Sequence, residues 1–226
     1  MNWQNKGYLL SINKYNENSS IANFYTENFG KVSGIIFGST SKKNKSYLLI
    51  GNKLHLNFSS KNENSIGNFK VEIDKVNTPF YLNNHLKLQS IIYSMQIIDI
   101  LTVENQENSK IFESMDNFFE IIKSDDWLKK FIFWELNLFK NLGYEINFKN
   151  YSYVTRTNGE KRFFIKNSNK EIPSFLVDDH NKNVNKIDLI NAQNIISDFL
   201  NKSILNDDKI NIPLSRQKFI DLMSSL

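Results

Sequence analysis

Apolar and polar residues alternate with a period of two through the first third of this 226-residue chain. Leu54, Leu56 and Phe58 alternate with Lys53, His55 and Asn57, and Phe69, Val71 and Ile73 alternate with Lys70, Glu72 and Asp74. Such spacing gives a strand one wet face and one buried face. Three earlier runs, residues 8–15, 20–26 and 31–37, also read as strands. The turn-forming Asn16-Glu17-Asn18 separates the first two, and Asn28 and Gly30 separate the second from the third. Loops this short predict antiparallel neighbours. Five short strands with Gly34, Gly38, Gly51 and Gly67 at bends or turns suit a small barrel such as an OB-fold, whereas a sandwich needs more strands.

Pro79 punctuates this pattern, and the period then changes to that of helices. Leu88, Ile91, Ile92, Met95 and Ile98 form one stripe, and Phe112, Met115, Phe119 and Ile122 a second. A third stripe runs from Leu128 through Phe131, Ile132, Glu135, Leu138 and Phe139 to Leu142, with Gly143 as its stop. The helical period lapses between Tyr144 and Phe175, where short strands at 151–155 and 162–165 flank a turn at 156–160. Two more helices are expected over 187–201 and, after Pro213, over 214–226. The expectation is an α+β protein, with a small OB-type β-barrel over 1–79 and a mainly helical domain over 80–226. A strand-bearing insertion at about 148–175 interrupts the latter.

Charge makes the two parts unequal. Residues 1–80 hold 10 lysines against 5 acids, a net +5, while residues 81–226 hold 18 basic residues against 19 acids, a net −1. Lys42, Lys43 and Lys45 lie in one polar loop, and no acid occurs between Glu27 and Glu63. A surface of this kind attracts a phosphate backbone, although a three-lysine loop is also a common solvated loop. Lys14 and Lys31 flank strand turns and either extend that surface or serve solubility. Tyr15 and Phe37 are either stacking rings for bases or core aromatics.

Other chemistry finds little support. There is no cysteine, so disulfides, thiolate metal sites and a cysteine nucleophile are excluded. The three histidines are scattered: His55 on a wet strand face, His85 at a helix start, and His180 in the polar run Asp178-Asp179-His180. No Walker loop, dinucleotide fingerprint or nucleophile elbow occurs, and Glu135 on an apolar helix face suits a local pairing better than a general base. A non-enzymatic protein without cofactor is expected. Met1-Asn2-Trp3-Gln4-Asn5-Lys6 does not read as a secretory signal, and the apolar runs are too short to span a bilayer, so a cytosolic location is expected.

One ordered set of motifs is more specific. Gly7-Tyr8-Leu9-Leu10-Ser11 after Trp3, Tyr15-Asn16-Glu17-Asn18-Ser19-Ser20, Thr26-Glu27-Asn28-Phe29-Gly30-Lys31, and Gly38 leading into Ser41-Lys42-Lys43 follow one another. Gly51-Asn52, Gly67-Asn68-Phe69, the run from Phe133-Trp134-Glu135 to Leu142-Gly143-Tyr144, and Leu214-Ser215-Arg216 continue the series. In this order they resemble the RecO family of bacterial recombination mediators, with Gly67-Asn68-Phe69 similar to its alphaproteobacterial members. Two departures stand out. The stretch 148–162 lacks the four cysteines that hold zinc in some members, and Phe37 stands where an arginine is common, trading a phosphate contact for a stacking surface.

The resemblance implies binding of single- and double-stranded DNA, annealing of complementary strands, and help for RecA in replacing single-strand-binding protein together with RecR. It implies work in the cytoplasm at the nucleoid, and docking of the tail of single-strand-binding protein on the helical domain. Lys129, Lys130 and Lys140 on the third helix are candidates for that acidic tail, set against the plain reading of a charged outer helix face. Arg216 either joins such a partner surface or plays a structural role. The rival from another class is an interaction adaptor that keeps the fold and meets DNA only through its partners.

Overall fold

The computed structural model describes every residue except 63–64, 158–159, 167, 169, 179–183, 206–210 and 226. Five strands come first: β1 (Asn2–Lys14), β2 (Ser19–Thr26), β3 (Gly30–Phe37), β4 (Lys53–Ser59) and β5 (Gly67–Lys75). A six-residue helix α1 (Lys42–Tyr47) lies between β3 and β4. The strands close in the order β1-β2-β3-β5-β4, antiparallel throughout except for the β3–β5 seam, which is parallel. This is the barrel expected from the alternation. The residues read as a basic loop are instead a helix, because Ser41 caps it by accepting from the Asn44 N–H at 3.2 Å.

The barrel core gathers Leu9, Phe24, Ile36, Leu54, Leu56, Phe58 and Phe69, all buried. Trp3 stacks on both Phe29 (4.5 Å) and Phe58 (4.7 Å), which explains why β1 begins six residues earlier than its sequence pattern suggests. In β5 the alternation ends early, and Ile73, expected inside, is exposed. Ile73 keeps its place opposite the buried Leu54, and its exposure comes at the strand end, just before the register shifts between Leu54 and Lys53, the latter facing Lys75.

The closing seam rests on two facing glycines, Gly34 and Gly67. A Cβ on Gly67 would lie 2.1 Å from the Phe58 ring, and one on Gly34 would lie 2.5 Å from the Phe69 ring. The missing side chains leave room for the aromatic core. Gly67→Ala is therefore expected to cost about 1–3 kcal/mol through overpacking, read as a lower midpoint of denaturant unfolding.

Helices α2 (His85–Leu101), α3 (Ser109–Ile121) and α4 (Trp127–Asn141) follow, each near its predicted place. Asn84 caps α2 by accepting from the Lys87 N–H at 3.0 Å. Gly143, at φ 92°, ends α4 as predicted: its N–H reaches the Lys140 carbonyl, and the Tyr144 N–H reaches the Phe139 carbonyl at 2.8 Å. A short helix α5 (Phe148–Tyr151) leads into the hairpin β6 (Ser152–Thr157) and β7 (Glu160–Ile165), to which β8 (Glu171–Ile172) adds a third strand. Helices α6 (Lys186–Phe199) and α7 (Leu214–Ser225) complete the chain, with a π-helical turn at Leu200–Leu205 after α6.

The chain forms two compact units, Met1–Phe119 with Ser215–Phe219, and Glu120–Leu214 with Ile220–Leu226. The change of pattern at residue 79 thus marks where strands give way to helices inside the first unit. There, Tyr8 stacks on Phe119 (5.6 Å) and donates to Asp116 Oδ1 at 2.6 Å.

Candidate nucleic-acid interface

Register decides which candidate residues meet. Ser19 pairs with Phe37 across β2–β3, and the Tyr15 N–H donates to the Ser19 carbonyl at 2.9 Å. Lys14 pairs with Ser20, one step along. Lys14, Tyr15 and Phe37 therefore share one end of the barrel. From there the chain runs through Gly38 directly into α1.

That run is tied down at several points. The Gly38 N–H donates to the Asn18 carbonyl at 2.7 Å, and Thr40 Oγ1 donates to Asn18 Oδ1 at 2.9 Å. Asn44 Nδ2 reaches back to the Gly38 carbonyl (2.9 Å), and Tyr47 Oη donates to Asn44 Oδ1 (2.5 Å). Burial, with the nearby Glu72 carboxylate second, pushes the Tyr47 phenol above its usual value, so it remains a donor. On this anchored helix Lys42, Lys43 and Lys45 are all exposed. No acid lies in its first turn.

The far end of α1 is held by Asn52, which is wholly buried. Its Nδ2 donates to the Tyr47 carbonyl (3.0 Å), while its Oδ1 accepts from the N–H groups of Asn77 (2.9 Å) and Thr78 (3.1 Å). Its own carbonyl accepts from the Leu9 N–H at 3.0 Å. One residue thus joins the lysine helix and the segment leaving the barrel through its amide, and the first strand through its backbone carbonyl. In the sequence Asn52 stands out only within the Gly51-Asn52 step, because a buried asparagine looks like any loop asparagine until its partners are placed.

The aromatic candidates are resolved in favour of the surface: Tyr15 is 58% exposed and Phe37 63% exposed, so neither is core. Lys31 goes the other way. It pairs with Tyr25 near the opposite end of β3, about 20 Å along the strand from Phe37. Its ammonium donates to the Asp99 carbonyl at 2.5 Å, with the Asp99 carboxylate at 3.8 Å. It supports the fold and does not extend the basic surface.

The charge split changes accordingly. Lys53 bonds both carboxylate oxygens of Asp116 (2.9 and 3.0 Å), and Lys6 pairs with Asp74 at 2.9 Å. The hydrogen bond that Lys6 donates to Asp74 raises the Lys6 pKa. Asp99 and Asp116 come from α2 and α3, so the helices neutralise two lysines that a tally by segment assigns to the barrel's excess. Among the described residues, Lys14, Lys42, Lys43 and Lys45 make no ion pair. The α1 end thus gathers four of the barrel's lysines that no ion pair answers among the described residues, while Lys61 and Lys70 lie elsewhere on it.

In the second unit, Lys130 pairs with Asp126 (2.6 Å) and Lys140 with Glu145 (2.9 Å), both on the surface. The bond from Lys130 holds the Asp126 carboxyl below its usual range. Lys129 lies 5.8 Å from the Phe175 ring, against which the partly exposed Phe133 packs edge-on at 5.9 Å. Arg216, in the first unit, is 1% exposed, lies 4.9 Å from the Tyr93 ring and donates to its hydroxyl. It is a structural residue and not part of an exposed partner surface.

His55 bonds Asp74 at 2.8 Å on the outer sheet face, and His85 opens α2. His180 and Asp179 lie outside the described residues. Among the described residues there is no group of three His, Cys, Asp or Glu side chains able to hold a metal ion, and no helix is long and apolar enough to cross a membrane.

A closed β1-β2-β3-β5-β4 barrel with a helix between its third and fourth strands, continued by helices, defines the class: an α+β protein built on an OB-type barrel. Comparison with known proteins carries this further. Residues 1–75 match the family model "Recombination protein O N terminal" and residues 84–193 match "Recombination protein O C terminal". A protein of Ehrlichia chaffeensis named DNA repair protein RecO is 27% identical over 99% of this chain and 98% of its own length. Proteins of the same name from Rickettsia typhi and Ruegeria are 31% and 24% identical, each over 65% of this chain, which spans 62% and 61% of their lengths. The chain belongs to the RecO family of DNA repair proteins.

Proposed function

We propose that this protein is a non-enzymatic recombination mediator that binds single- and double-stranded DNA through the α1 end of its barrel and anneals complementary strands. With RecR it assists RecA in displacing single-strand-binding protein. One observation carries the reading: four lysines without ion pairs among the described residues and two exposed rings converge on one barrel end. Lysines displace the counterions that keep two strands apart, while Tyr15 and Phe37 offer faces on which bases stack, contributing on the order of 1–3 kcal/mol each. The acidic, apolar tail of single-strand-binding protein suits the cation and rings around Lys129 and Phe133 in the second unit.

Fluorescence anisotropy with an unstructured oligonucleotide across a salt series tests the reading. Four phosphate contacts predict that log K falls against log salt with a slope of about −3. Binding that is absent at low salt, or indifferent to salt, overturns it and leaves the adaptor alternative.

A further inference from the structure

The second unit carries a basic, aromatic surface that this reading does not use. From Lys149 to Lys166 the chain holds five cations, Lys149, Arg156, Lys161, Arg162 and Lys166, against the single acid Glu160. This island is hidden in a segment whose overall charge is near neutral.

The β6–β7 register sorts these residues into two faces, since directly opposed residues share a face and neighbours alternate. Tyr153 opposes Phe164 and Thr155 opposes Arg162 on one face, while Val154 opposes Phe163 and Arg156 opposes Lys161 on the other. On the first face the Tyr153 and Phe164 rings stack at 5.7 Å and 23°, with Tyr153 itself 41% exposed. Arg162 extends the stack, its guanidinium 6.0 Å from the Phe164 centroid and held by Glu171 through two bonds of 2.7 and 2.5 Å. Tyr151, just before β6, is also exposed.

The second face contains a feature that works against the fold. Arg156 and Lys161 are exposed like charges placed directly opposite one another, an arrangement that destabilises a hairpin. Among the described residues neither has an ion-pair partner. A polyanion laid along the hairpin removes that repulsion. A ring pair ending in a fixed guanidinium offers such a ligand flat, apolar faces, which suits unpaired bases better than an acidic peptide.

We infer that the β6–β7 hairpin is a second single-strand site: bases stack on Tyr153, and the backbone crosses the β6 edge, which is open in the order β6-β7-β8, to reach Arg156 and Lys161 on the other face. The inference rests on the proposal that the protein binds DNA at its barrel and adds a mechanism to it: one molecule engages one strand per compact unit, which raises the effective concentration of the complementary pair.

Photocrosslinking with an oligo(dT) carrying 5-iododeoxyuridine, mapped by mass spectrometry on the full chain and on its Lys42→Glu, Lys43→Glu, Lys45→Glu variant, tests it. Crosslinks are expected on the Tyr15–Phe37 region and on the Tyr151–Tyr153 peptide, with the latter persisting in the variant. Crosslinks on the barrel alone overturn the second site and leave the barrel reading standing. Crosslinks on the hairpin alone do the reverse, and none on either overturns both. Arg156→Ser with Lys161→Ser is expected to slow annealing of complementary oligonucleotides about tenfold, with single-strand affinity changed less than about threefold. Unchanged annealing in that variant, or capture of an acidic peptide without any hairpin crosslink, overturns the inference.

Discussion

Changing Lys42, Lys43 and Lys45 together to glutamate is expected to lower the affinity for an unstructured single strand by about two orders of magnitude at low salt, and to flatten the salt slope by about 2. Each lysine that neutralises a phosphate releases counterions, contributing about 0.7 to the slope on a single strand. Three removed contacts therefore change the slope by a predictable amount, and three new carboxylates add repulsion. The fold is expected to survive. All three side chains are exposed, none makes an ion pair among the described residues, and acids at the first positions of α1 suit its N-terminal dipole. Anisotropy titrations paired with thermal melts check both halves. Full DNA affinity in a folded variant would show that the barrel end is not the DNA contact and favour the adaptor alternative.

Asn52→Ala is expected to be the most damaging single change in the barrel. Three groups lose their partner at once: the buried N–H groups of Asn77 and Thr78 and the part-buried carbonyl of Tyr47. At about 1–3 kcal/mol for each stranded group, discounted for relaxation, the loss is on the order of 3–5 kcal/mol. For a chain of this size that lowers Tm by roughly 10 °C. The measurement is a calorimetric or dichroism melt, and a shift under about 3 °C would mean that the amide's partners readily find substitutes. DNA binding supplies a second readout. Asn52 touches α1 only through the Tyr47 carbonyl, so below the melt its loss is expected to weaken binding far less than the triple lysine variant.

These two variants also separate what is legible in the chain from what is not. Leu54, Leu56 and Phe58 announce a half-buried strand because side chains alternate across any strand whatever its partners, and the stripe from Leu128 to Leu142 announces α4 on equally local grounds. Gly143 announces the helix end because only a residue tolerant of positive φ closes that turn cheaply. The lysines of 42–45 are visible by composition alone, and the five cations of 149–166 stand out only over a window that short. By contrast, α1 was hidden because its cap is a single serine in a polar run. Ile73 is exposed although it stands opposite the buried Leu54, because burial at a strand end depends on what packs over it and not on alternation alone.

The sequence alone was enough to establish the barrel, the long helices, the absence of thiol chemistry and the family resemblance, since each depends on neighbours a few positions apart or on composition. Pairing between distant segments decided the rest. Tertiary structure committed Lys31 to Asp99, Lys53 to Asp116 and Arg216 to Tyr93, brought Tyr15 and Phe37 to the surface beside Lys14, and set Arg156 against Lys161. A charge written in the sequence acts on a ligand only where no partner from elsewhere in the fold already answers it, and that depends on which strands and helices become neighbours.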